Sequence, residues 1–552
     1  MFQTFEAQSS PDQGPPRLAA LRTIMAERGF DAFLVPRADA HQGEYVAPRD
    51  ARLEWLTGFS GSAGFCVAFT PVHWPEEQLA DWLIAQLPQG GVIAYDPWLH
   101  TVEEIAGLRK KLTKFTLQPT ENLVDLIWSD QPSAPDAPFT AHPLKYAGEA
   151  HGDKRARLAA KMNGAATVLT LPDSIAWLLN IRGTDIARNP VPQAFAVLHQ
   201  SGDVDLFTAD GKADDIADHL GSAISIRNIG EFLNDLKALT GPVLIDPMSC
   251  PDIVAAVLQD AGIELVKDRD PCILPKACKN PVEIAGARTA HARDAVAMVR
   301  FLAWLDAEAP KGGLTEIDVV KTLEAFRVQT NVLRDISFET ICGAGPHGAI
   351  VHYRVTEDSN RPVQPGELLL VDSGGQYVDG TTDITRTMAI GAPTHDHRCC
   401  YTRVLQGMIA VSRIRFPHSV GGQHLDALAR APLWMAGQDY DHGTGHGVGS
   451  YLCVHEGPQG ISRRSDVPLK AGMILSNEPG YYREGAFGIR IENLIVVANA
   501  PALADGDDRD MLFFETLTYV PFDRRLIDTS LLSKAEQDWI DGYHADTLQL
   551  LA

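Results

Sequence analysis

The sequence predicts an α/β (α+β) protein of three domains. At 552 residues the chain is too long for one hydrophobic core, because domains typically span roughly 100–200 residues. Hydrophobic residues make up 45% and charged residues 22%, which is typical of a globular protein. Helix-like and strand-like segments alternate in the first half, whereas short strands with Gly- and Pro-rich turns follow residue 337. We expect residues 1–140 and 141–270 to form two small α/β domains and residues 271–552 to form a third domain.

The first two predicted domains share a local pattern. Residues 18–29 (LAALRTIMAERG) are typical of an amphipathic helix ending at Gly29, and the following DAFLVP is typical of a buried strand ending at Pro36. The second domain has a helix (DKRARLAAKMNG), a strand (ATVLTLP) and the stretch SIAWLLNIRG, which is similar to LEWLTGFSG in the first. We expect two related domains in which a twisted sheet packs against crossover helices.

Helix start signals mark the opening of the third domain. Asn280 can cap a helix, Pro281 suits its first turn, and Glu283 can complete a capping box. A long helix is therefore expected through AVAMVRFLAWLDA. The segment Thr315-Glu-Ile-Asp318 predicts the start of a second helix.

Charge and composition exclude several partners. Lys plus Arg number 48 and Asp plus Glu number 71, so the net charge of −23 repels nucleic-acid phosphates and anionic lipid surfaces. The eight cysteines are scattered without a CxxC pair and are interpreted as reduced thiols. The start MFQTFEAQSSPDQGPPRLAAL lacks the pattern of a secretory signal, and no later apolar run is long enough to span a bilayer. We therefore expect a cytoplasmic protein with no nucleic-acid or membrane partner.

The stretch HGTGHGVG, residues 442–449, concentrates histidine and glycine. It lacks the Lys and Ser/Thr of a P-loop, and its alternating glycines oppose the helix that an HExxH-type zinc site needs. Alternate glycines instead permit an extended or bulged backbone that approaches other groups closely. The stretch therefore predicts a crowded site into which its few side chains point.

Acidic residues elsewhere in the third domain are candidate partners for this stretch. LLLVDSGGQYVDGTTDITRTMAI contains two strand-like runs that carry Asp372 and Asp383, and neighbouring strands would bring these side chains within reach of each other. Taken singly, Asp372 is equally consistent with a turn-capping aspartate and Asp383 with a solvated strand position.

A second pair of carboxylates follows the same pattern. Glu478 ends a strand-like run before Pro-Gly, and Glu492 interrupts the apolar run GIRIENLIVV, where a buried carboxylate must be paired or metal-bound. Strand alternation places Arg490 on the same face as Glu492, where it could orient a ligating carboxylate or form an ordinary ion pair.

Two Asp, two Glu and one His form a ligand set rich in oxygen. Such a set suits Mn²⁺ and tolerates Co²⁺, Fe²⁺ or Zn²⁺. Because four carboxylates would leave excess negative charge around a single divalent ion, the sequence predicts two ions that share bridging ligands.

Seven segments together resemble one enzyme family. They are DAHQGEYVAPRD, GFSGSAG, SIAWLLNIRG, GAIVHYRV, DSGGQYVDGTTDITRT, HGTGHGVGSYLCVHEGP and NEPGYYREGAFGIRIEN. The chain resembles the pita-bread metallopeptidases, and among them the three-domain cytosolic Xaa-Pro aminopeptidases (aminopeptidase P). The resemblance implies two small creatinase-N-like α/β domains followed by a C-terminal pita-bread metallopeptidase domain. It also implies a homodimer.

The resemblance assigns roles residue by residue. The implied metal ligands are Asp372, Asp383, His446, Glu478 and Glu492. Glu478, His352 and His455 are the implied catalytic residues, and His352, His442, His455 and Arg490 the implied substrate-binding residues. His352 and His455 would flank the scissile bond, and His442 would help shape a proline pocket.

The expected reaction removes the N-terminal residue from peptides with proline in second position. A hydroxide bridging the two metal ions would attack the Xaa-Pro carbonyl, while Glu478 moves a proton to the leaving proline nitrogen. The alternatives are a prolidase with nearly the same ligands, a methionine aminopeptidase, and a non-catalytic pita-bread binding protein or a metal-free creatinase-like hydrolase.

One departure from the family is that GSAGFCVAF leads straight to TPVHWPEEQLADWL without a DGRY-like segment. Domain I (1–140) is therefore predicted to be shortened after Phe69, which would expose a sheet edge.

Overall fold

The computed structural model describes residues 1–6, 10–59, 61, 65–66 and 77–552. The chain forms two compact units. The N-terminal unit comprises Gln8–Leu144 and Glu149–Cys272, and the C-terminal unit comprises Met1–Ala7, Lys145–Gly148 and Ile273–Ala552. The predicted boundary at residue 140 lies inside the N-terminal unit, so the division into two units does not test it. The boundaries of the three domains therefore stay predictions.

Within the described part of the chain, the first sheet of the N-terminal unit has four strands in the order β2-β1-β3-β4. Its strands are β1 (Ala32–Pro36), β2 (Phe65–Cys66), β3 (Gly91–Tyr95) and β4 (Phe115–Pro119), and its helices are α1 (Gly14–Arg28), α2 (Arg52–Thr57), α3 (Leu79–Gln86) and α4 (Val102–Lys111). The predicted helix and strand at the start of the chain are confirmed, and Gly29 ends α1 with a φ of 71°. Most of GFSGSAG and the predicted loss of strands after Phe69 lie outside the described residues.

A second sheet of six strands follows, in the order β10-β9-β8-β6-β11-β12. The strands are β5 (Thr140–Ala141), β6 (Ala166–Leu169), β7 (Ile181–Arg182), β8 (Phe195–His199), β9 (Val204–Thr208), β10 (Ile224–Asn228), β11 (Val243–Ile245) and β12 (Leu265–Lys267), of which β5 and β7 pair separately. The helices are α5 (Leu144–Ala147), α6 (His151–Ala159), α7 (Pro172–Leu179), α8 (Ala217–Leu220), α9 (Phe232–Leu236) and α10 (Asp252–Asp260). The two similar stretches form matching structures, since α2 and α7 each end at a left-handed residue, Gly58 or Asn180.

From Ile273 onward, the C-terminal unit has three helices in succession, α11 (Ile273–Ala277), α12 (Pro281–Glu308) and α13 (Glu316–Val328). The predicted capping box at Asn280 is present, and the predicted helix start at Thr315 also has a capping box. The Asn280 side chain accepts hydrogen bonds from the backbone N–H groups of Val282 and Glu283, and the Thr315 side chain accepts one from Asp318. The predicted starts of both helices are therefore confirmed.

Strands and helices then alternate to the end of the chain. The strands are β13 (Leu333–Ile336), β14 (Ile341–Ala344), β15 (Leu368–Ser373), β16 (Gly375–Tyr377), β17 (Gly380–Thr381), β18 (Ile384–Ala389), β19 (Arg415–Pro417), β20 (Gly445–Gly447), β21 (Glu456–Ile461), β22 (Ile474–Asn477), β23 (Gly480–Arg483), β24 (Phe487–Arg490), β25 (Asn493–Asn499) and β26 (Met511–Thr516). The helices are α14 (His395–Arg413), α15 (Gln423–Trp434) and α16 (Lys534–Leu551). The short strands predicted after residue 337 are present, but these three helices, whose apolar positions recur at helical spacing, were not predicted.

Antiparallel sheets form the frame that carries the candidate site. Strand β15 lies between β14 and β18, and a six-stranded sheet runs in the order β19-β26-β25-β22-β20-β21. Leu369 and Val371 of β15 pack in one hydrophobic core with Phe301 of α12, whereas Leu368 packs in another core with Tyr401 of α14. Strand alternation thus buries both faces of β15, and each large apolar side chain contributes about 1.5–3 kcal/mol. Among the described residues, no helix is both long and apolar enough to cross a bilayer.

Candidate metal centre and active site

The pairing of β15 with β18 brings Asp372 and Asp383 into one region. Asp372 lies opposite Thr385 in the antiparallel register, and Asp383 immediately precedes β18. The short strands β16 and β17 lie between these two aspartates in the chain and belong to a different sheet, in which β16 pairs with both β13 and β17. The backbone turns tightly there, since a Cβ added to Gly374 would lie 2.0 Å from the carbonyl oxygen of Thr382.

His446 lies in β20, within the glycine-rich stretch. A Cβ on Gly445 would lie 2.0 Å from the Ser476 carbonyl oxygen, and one on Gly447 would lie 2.0 Å from the Glu456 carbonyl oxygen. The ladder also shifts register between His446 and Gly447. The prediction of a bulged backbone in close contact with its neighbours is therefore confirmed, and it explains why glycine occupies these two positions.

The imidazole of His446 faces the acidic residues. Its Nδ1 is 2.9 Å from the carbonyl oxygen of Gly447, which leaves Nε2 directed into the site. Nε2 lies 3.6 Å from Asp383 Oδ2 and 3.5 Å from Glu478 Oε1. Burial holds the pKa of His446 well below its usual value, so the ring is neutral, as a metal-ligating histidine must be.

Glu478 and Glu492 complete the cluster. Glu478 follows β22 directly, its backbone N–H donates to the Thr444 carbonyl oxygen at 2.8 Å, and Ser476 Oγ donates to its Oε1 at 3.2 Å. Glu492 was predicted to lie inside a continuous strand, but it occupies the break between β24 and β25. This break turns the carboxylate into the interior, where Glu492 is 1% exposed.

The electrostatics of the cluster favour a bound cation. Burial, reinforced by neighbouring carboxylates, raises the pKa of Asp383 and of Glu492 well above the usual range. Burial raises the pKa of Glu478 to about 7, although the nearby Arg490 opposes this shift. So many buried carboxylates repel one another, and divalent ions among them would stabilise the ionised forms.

The donor atoms fit such ions. One buried oxygen on each of Asp372 (Oδ1), Asp383 (Oδ1) and Glu492 (Oε1) accepts no hydrogen bond. One donor atom on each of Asp383, His446 and Glu492 lies within 4.8 Å of the others. Buried polar atoms are normally satisfied, so these oxygens are best explained as ligand positions for metal ions.

Arg490 and Thr385 form hydrogen bonds to the carboxylate oxygens of Asp372 and Glu492 that face away from the predicted ions. Its Nη2 donates to Asp372 Oδ2 at 2.5 Å, and its Nε donates to Thr385 Oγ1 at 3.2 Å. The Thr385 hydroxyl in turn donates to Glu492 Oε2 at 2.9 Å. Arg490 therefore contacts Asp372 directly and Glu492 only through Thr385.

Replacing Arg490 with lysine is expected to weaken divalent-metal binding by roughly 10–100-fold, which is typical of losing a group that orients a ligand. Lysine keeps the charge but cannot hold Asp372 and Thr385 simultaneously in a fixed fork. Calorimetric titration of Mn²⁺ into the metal-free protein would measure the change. Arg415→Lys, at the edge strand β19, is the matched control. An unchanged Mn²⁺ affinity in Arg490→Lys would contradict this role.

The three predicted substrate histidines lie around the cluster. The ring of His455 meets that of His446 edge-on, with centroids 4.3 Å apart, and its side chain is exposed. His352 is also exposed, and it lies close enough to His442 and His446 to contribute to the lowering of the pKa of both. His442 Nε2 lies 2.8 Å from the Tyr482 hydroxyl, which accepts a hydrogen bond from Arg490 Nη1 at 2.6 Å. The structure thus gathers all the residues that the resemblance assigned to the site.

Several residues that hold the site were missed by the sequence analysis. Asp426 and Arg430 of α15 form a buried pair at 2.8 Å. Asp426 accepts from Thr444 Oγ1 at 2.7 Å, and Arg430 donates to the His442 carbonyl oxygen at 2.7 Å, so both anchor the glycine-rich stretch. Arg386 donates to the backbone carbonyl of Glu492 at 2.6 Å. The sequence signals for these residues were an i,i+4 pair of opposite charges in α15 and the arginine within the strand sequence ITRTMA.

The fold and this donor set define a metallopeptidase of the pita-bread class. Residues 285–499 match the model of metallopeptidase family M24, and residues 510–552 match the C-terminal region of peptidase M24. Residues 17–71 and 130–283 each match a creatinase/prolidase N-terminal domain. The predicted fold class, two creatinase-N-like domains followed by a pita-bread domain, is confirmed.

Relatives that match nearly the whole chain show to which family within this class the protein belongs. A probable Xaa-Pro aminopeptidase P from Paracoccidioides brasiliensis is 39% identical over 96% of this chain and 94% of its own length. Aminopeptidase P1 from Arabidopsis thaliana is 37% identical over 97% and 96%, respectively. The crystal structure of X-prolyl aminopeptidase from Caenorhabditis elegans is similar with a TM-score of 0.91 and 32% identity, covering 98% of this chain and 96% of that one. The chain belongs to the Xaa-Pro aminopeptidase P family, which confirms the resemblance and the predicted enzyme class.

Proposed function

We propose that this protein is a metal-dependent aminopeptidase that releases the N-terminal residue from peptides with proline in second position. The observation that carries the proposal is the cluster of buried Asp372, Asp383 and Glu492 with half-buried His446 and Glu478 in a chain of the Xaa-Pro aminopeptidase P family. A non-catalytic binding protein or a metal-free hydrolase would not need these five residues in one place. The Caenorhabditis elegans relative is described as a cytosolic enzyme with a di-nuclear active site, which supports two ions here.

The length of the relatives favours an aminopeptidase over a prolidase. The aminopeptidase P relatives match this chain almost from end to end. By contrast, the Xaa-Pro dipeptidase of Bacillus anthracis covers 68% of this chain with 23% identity and a TM-score of 0.54, which indicates a shared fold alone.

Each residue has a proposed task in the reaction. When bound, two divalent ions would supply Lewis acidity and an activated water molecule. His455 and His352, exposed beside the cluster, donate hydrogen bonds to the peptide, and His455 opposes the negative charge that develops on the scissile carbonyl oxygen. Glu478 receives the proton of the attacking water and delivers it to the leaving proline nitrogen, which carries no hydrogen in the Xaa-Pro amide.

The proline pocket is proposed to be shaped by His442 and supported by Arg490. Tyr482 joins the two, because its hydroxyl contacts both His442 Nε2 and Arg490 Nη1. Burial, followed by the charge of Arg490, lowers the pKa of His442 to about 3, so the ring is neutral and suits the apolar proline ring. The proposal also includes Mn²⁺ as the preferred ion, with Co²⁺, Fe²⁺ or Zn²⁺ as substitutes, together with a homodimer and a cytoplasmic location.

The activity is tested with two substrates of different length. Mn²⁺-loaded protein is expected to release arginine from Arg-Pro-Pro and to cleave the dipeptide Ala-Pro much more slowly. His455→Gln should lower kcat by roughly 10–100-fold, because a donor to the developing oxyanion is weakened. His424→Gln, at an exposed position of α15, is the matched control and should leave the rate unchanged. Dipeptide-only cleavage would indicate a prolidase, and no cleavage of either by folded, metal-loaded protein would overturn the proposal.

A further inference from the structure

A second group of metal-ligand side chains lies at the start of α14. His395 and Cys399 are four residues apart, so both lie on one face of that helix. Asp528, from the segment before α16, approaches the same face. One donor atom on each of these three residues lies within 4.8 Å of the others, and none of the catalytic ligands named above belongs to α14.

The distances are close to those of a zinc site. Cys399 Sγ lies 3.8 Å from His395 Nδ1, and Asp528 Oδ2 lies 3.9 Å from the same nitrogen. Tetrahedral Zn²⁺ with its usual bond lengths places such donors about 3.3–3.6 Å apart. The imidazole is exposed, so a small rotation of its side chain closes the difference.

The carboxylate is held in place before any ion binds. Asp528 Oδ1 accepts hydrogen bonds from the backbone N–H of Ser530 at 3.1 Å and from its hydroxyl at 2.6 Å, which leaves Oδ2 turned towards His395. The Asp528 backbone N–H donates to Thr402 Oγ1 of α14 at 2.8 Å, so the segment is already tied to the helix. Hydrogen bonds that orient a ligand in this way are typical of metal sites.

One cation competes for the site. Arg398 Nη2 lies 3.7 Å from Asp528 Oδ2, but its side chain is 42% exposed. A single ion pair of this kind is weak in water, so a divalent ion with three ligands can displace it.

We propose that His395, Cys399 and Asp528 form a second metal site, which binds Zn²⁺ and clips the start of α14 to the segment before α16. The combination of thiolate, imidazole and carboxylate selects zinc-like ions, in contrast to the oxygen-rich catalytic cluster. Binding forms a Cys399 Sγ–Zn²⁺ bond and releases the thiol proton to solvent. A water molecule completes the tetrahedron.

The test uses Cd²⁺ as a probe, because a cadmium–thiolate bond produces an ultraviolet charge-transfer band. Titration of the Mn²⁺-loaded full-length protein should produce this band with saturation at one equivalent, and added Zn²⁺ should remove it by competition. Cys399→Ser should abolish the band, and His395→Gln should weaken Cd²⁺ binding by roughly 10–100-fold. Cys278→Ser and His424→Gln, at positions away from the group, should leave both the band and the affinity unchanged.

Thermal unfolding provides a second measurement that does not depend on the catalytic activity. Zn²⁺ should raise the unfolding temperature of the Mn²⁺-loaded Cys278→Ser protein more than that of the Mn²⁺-loaded Cys399→Ser protein, since only the former retains the clip. Absence of the charge-transfer band, its persistence in Cys399→Ser, or an unaltered Cd²⁺ affinity in His395→Gln would overturn the proposed site. Circular dichroism of each variant verifies that the chain is folded.

Discussion

Asp383→Ala is expected to abolish peptide cleavage, with a loss of at least about 10³-fold in kcat/KM. Asp383 is 3% exposed and lies beside His446, with donor atoms that converge on those of Glu492. Removing its carboxylate deletes a predicted ligand and unbalances the charge around the two proposed ions. The measurement is the rate of Arg-Pro-Pro cleavage together with the metal content of the purified variant, which should fall below that of the unaltered protein.

A nearby aspartate serves as the matched control for this prediction. Asp379 lies in the turn between β16 and β17 and pairs with Arg293 at 3.0 Å, outside the metal cluster. Asp379→Asn should retain both the metal and most of the activity, since a partly exposed ion pair contributes only about 0–1 kcal/mol. Full activity in Asp383→Ala would refute the assignment of Asp383 as a ligand.

Glu456→Gln is expected to destabilise the C-terminal unit by about 3–5 kcal/mol, because it leaves two buried ammonium groups without their counter-charge. Glu456 Oε2 lies 2.6 Å from Lys276 Nζ, and its other oxygen forms a short contact with Lys279 Nζ. The side chains of Glu456 and Lys279 are each 1% exposed. The free energy of unfolding of this unit, obtained from urea denaturation, measures the effect.

The same substitution should also lower activity in the fraction that remains folded. Glu456 is the neighbour of His455 and begins β21, so its ion pairs fix the position of the proposed substrate histidine. Glu515→Gln is the control, because Glu515 pairs with Arg288 at 2.7 Å on a largely exposed surface and should change stability by less than about 1 kcal/mol. Equal losses of stability in the two variants would argue against a special role for the buried group.

Local sequence signals predicted some helices of the C-terminal unit but not others. The capping residues Asn280 and Thr315 begin α12 and α13 as expected, because the cap hydrogen bonds depend only on the next three residues of the chain. Helices α14, α15 and α16 were not predicted, because the Gly- and Pro-rich turns in this part of the chain are typical of connections between short strands. The break at Glu492 was missed because an apolar run has no local mark of where one strand ends and another begins.

By itself, the sequence determined which residue types can bind the metal ions. They are four carboxylates and one histidine, and the histidine lies between glycines at positions where a side chain would not fit. The tertiary structure decided the partners. In the folded chain, Arg490 donates hydrogen bonds to Asp372 and Tyr482, and Thr385 donates one to Glu492. The glycine-rich stretch is held by the ion pair of Asp426 and Arg430, since Asp426 accepts a hydrogen bond from Thr444. The reason is physical: ligand identity depends on the donor atoms of single residues, whereas hydrogen-bond partners far apart in the chain depend on strand register and burial, which only the folded core establishes.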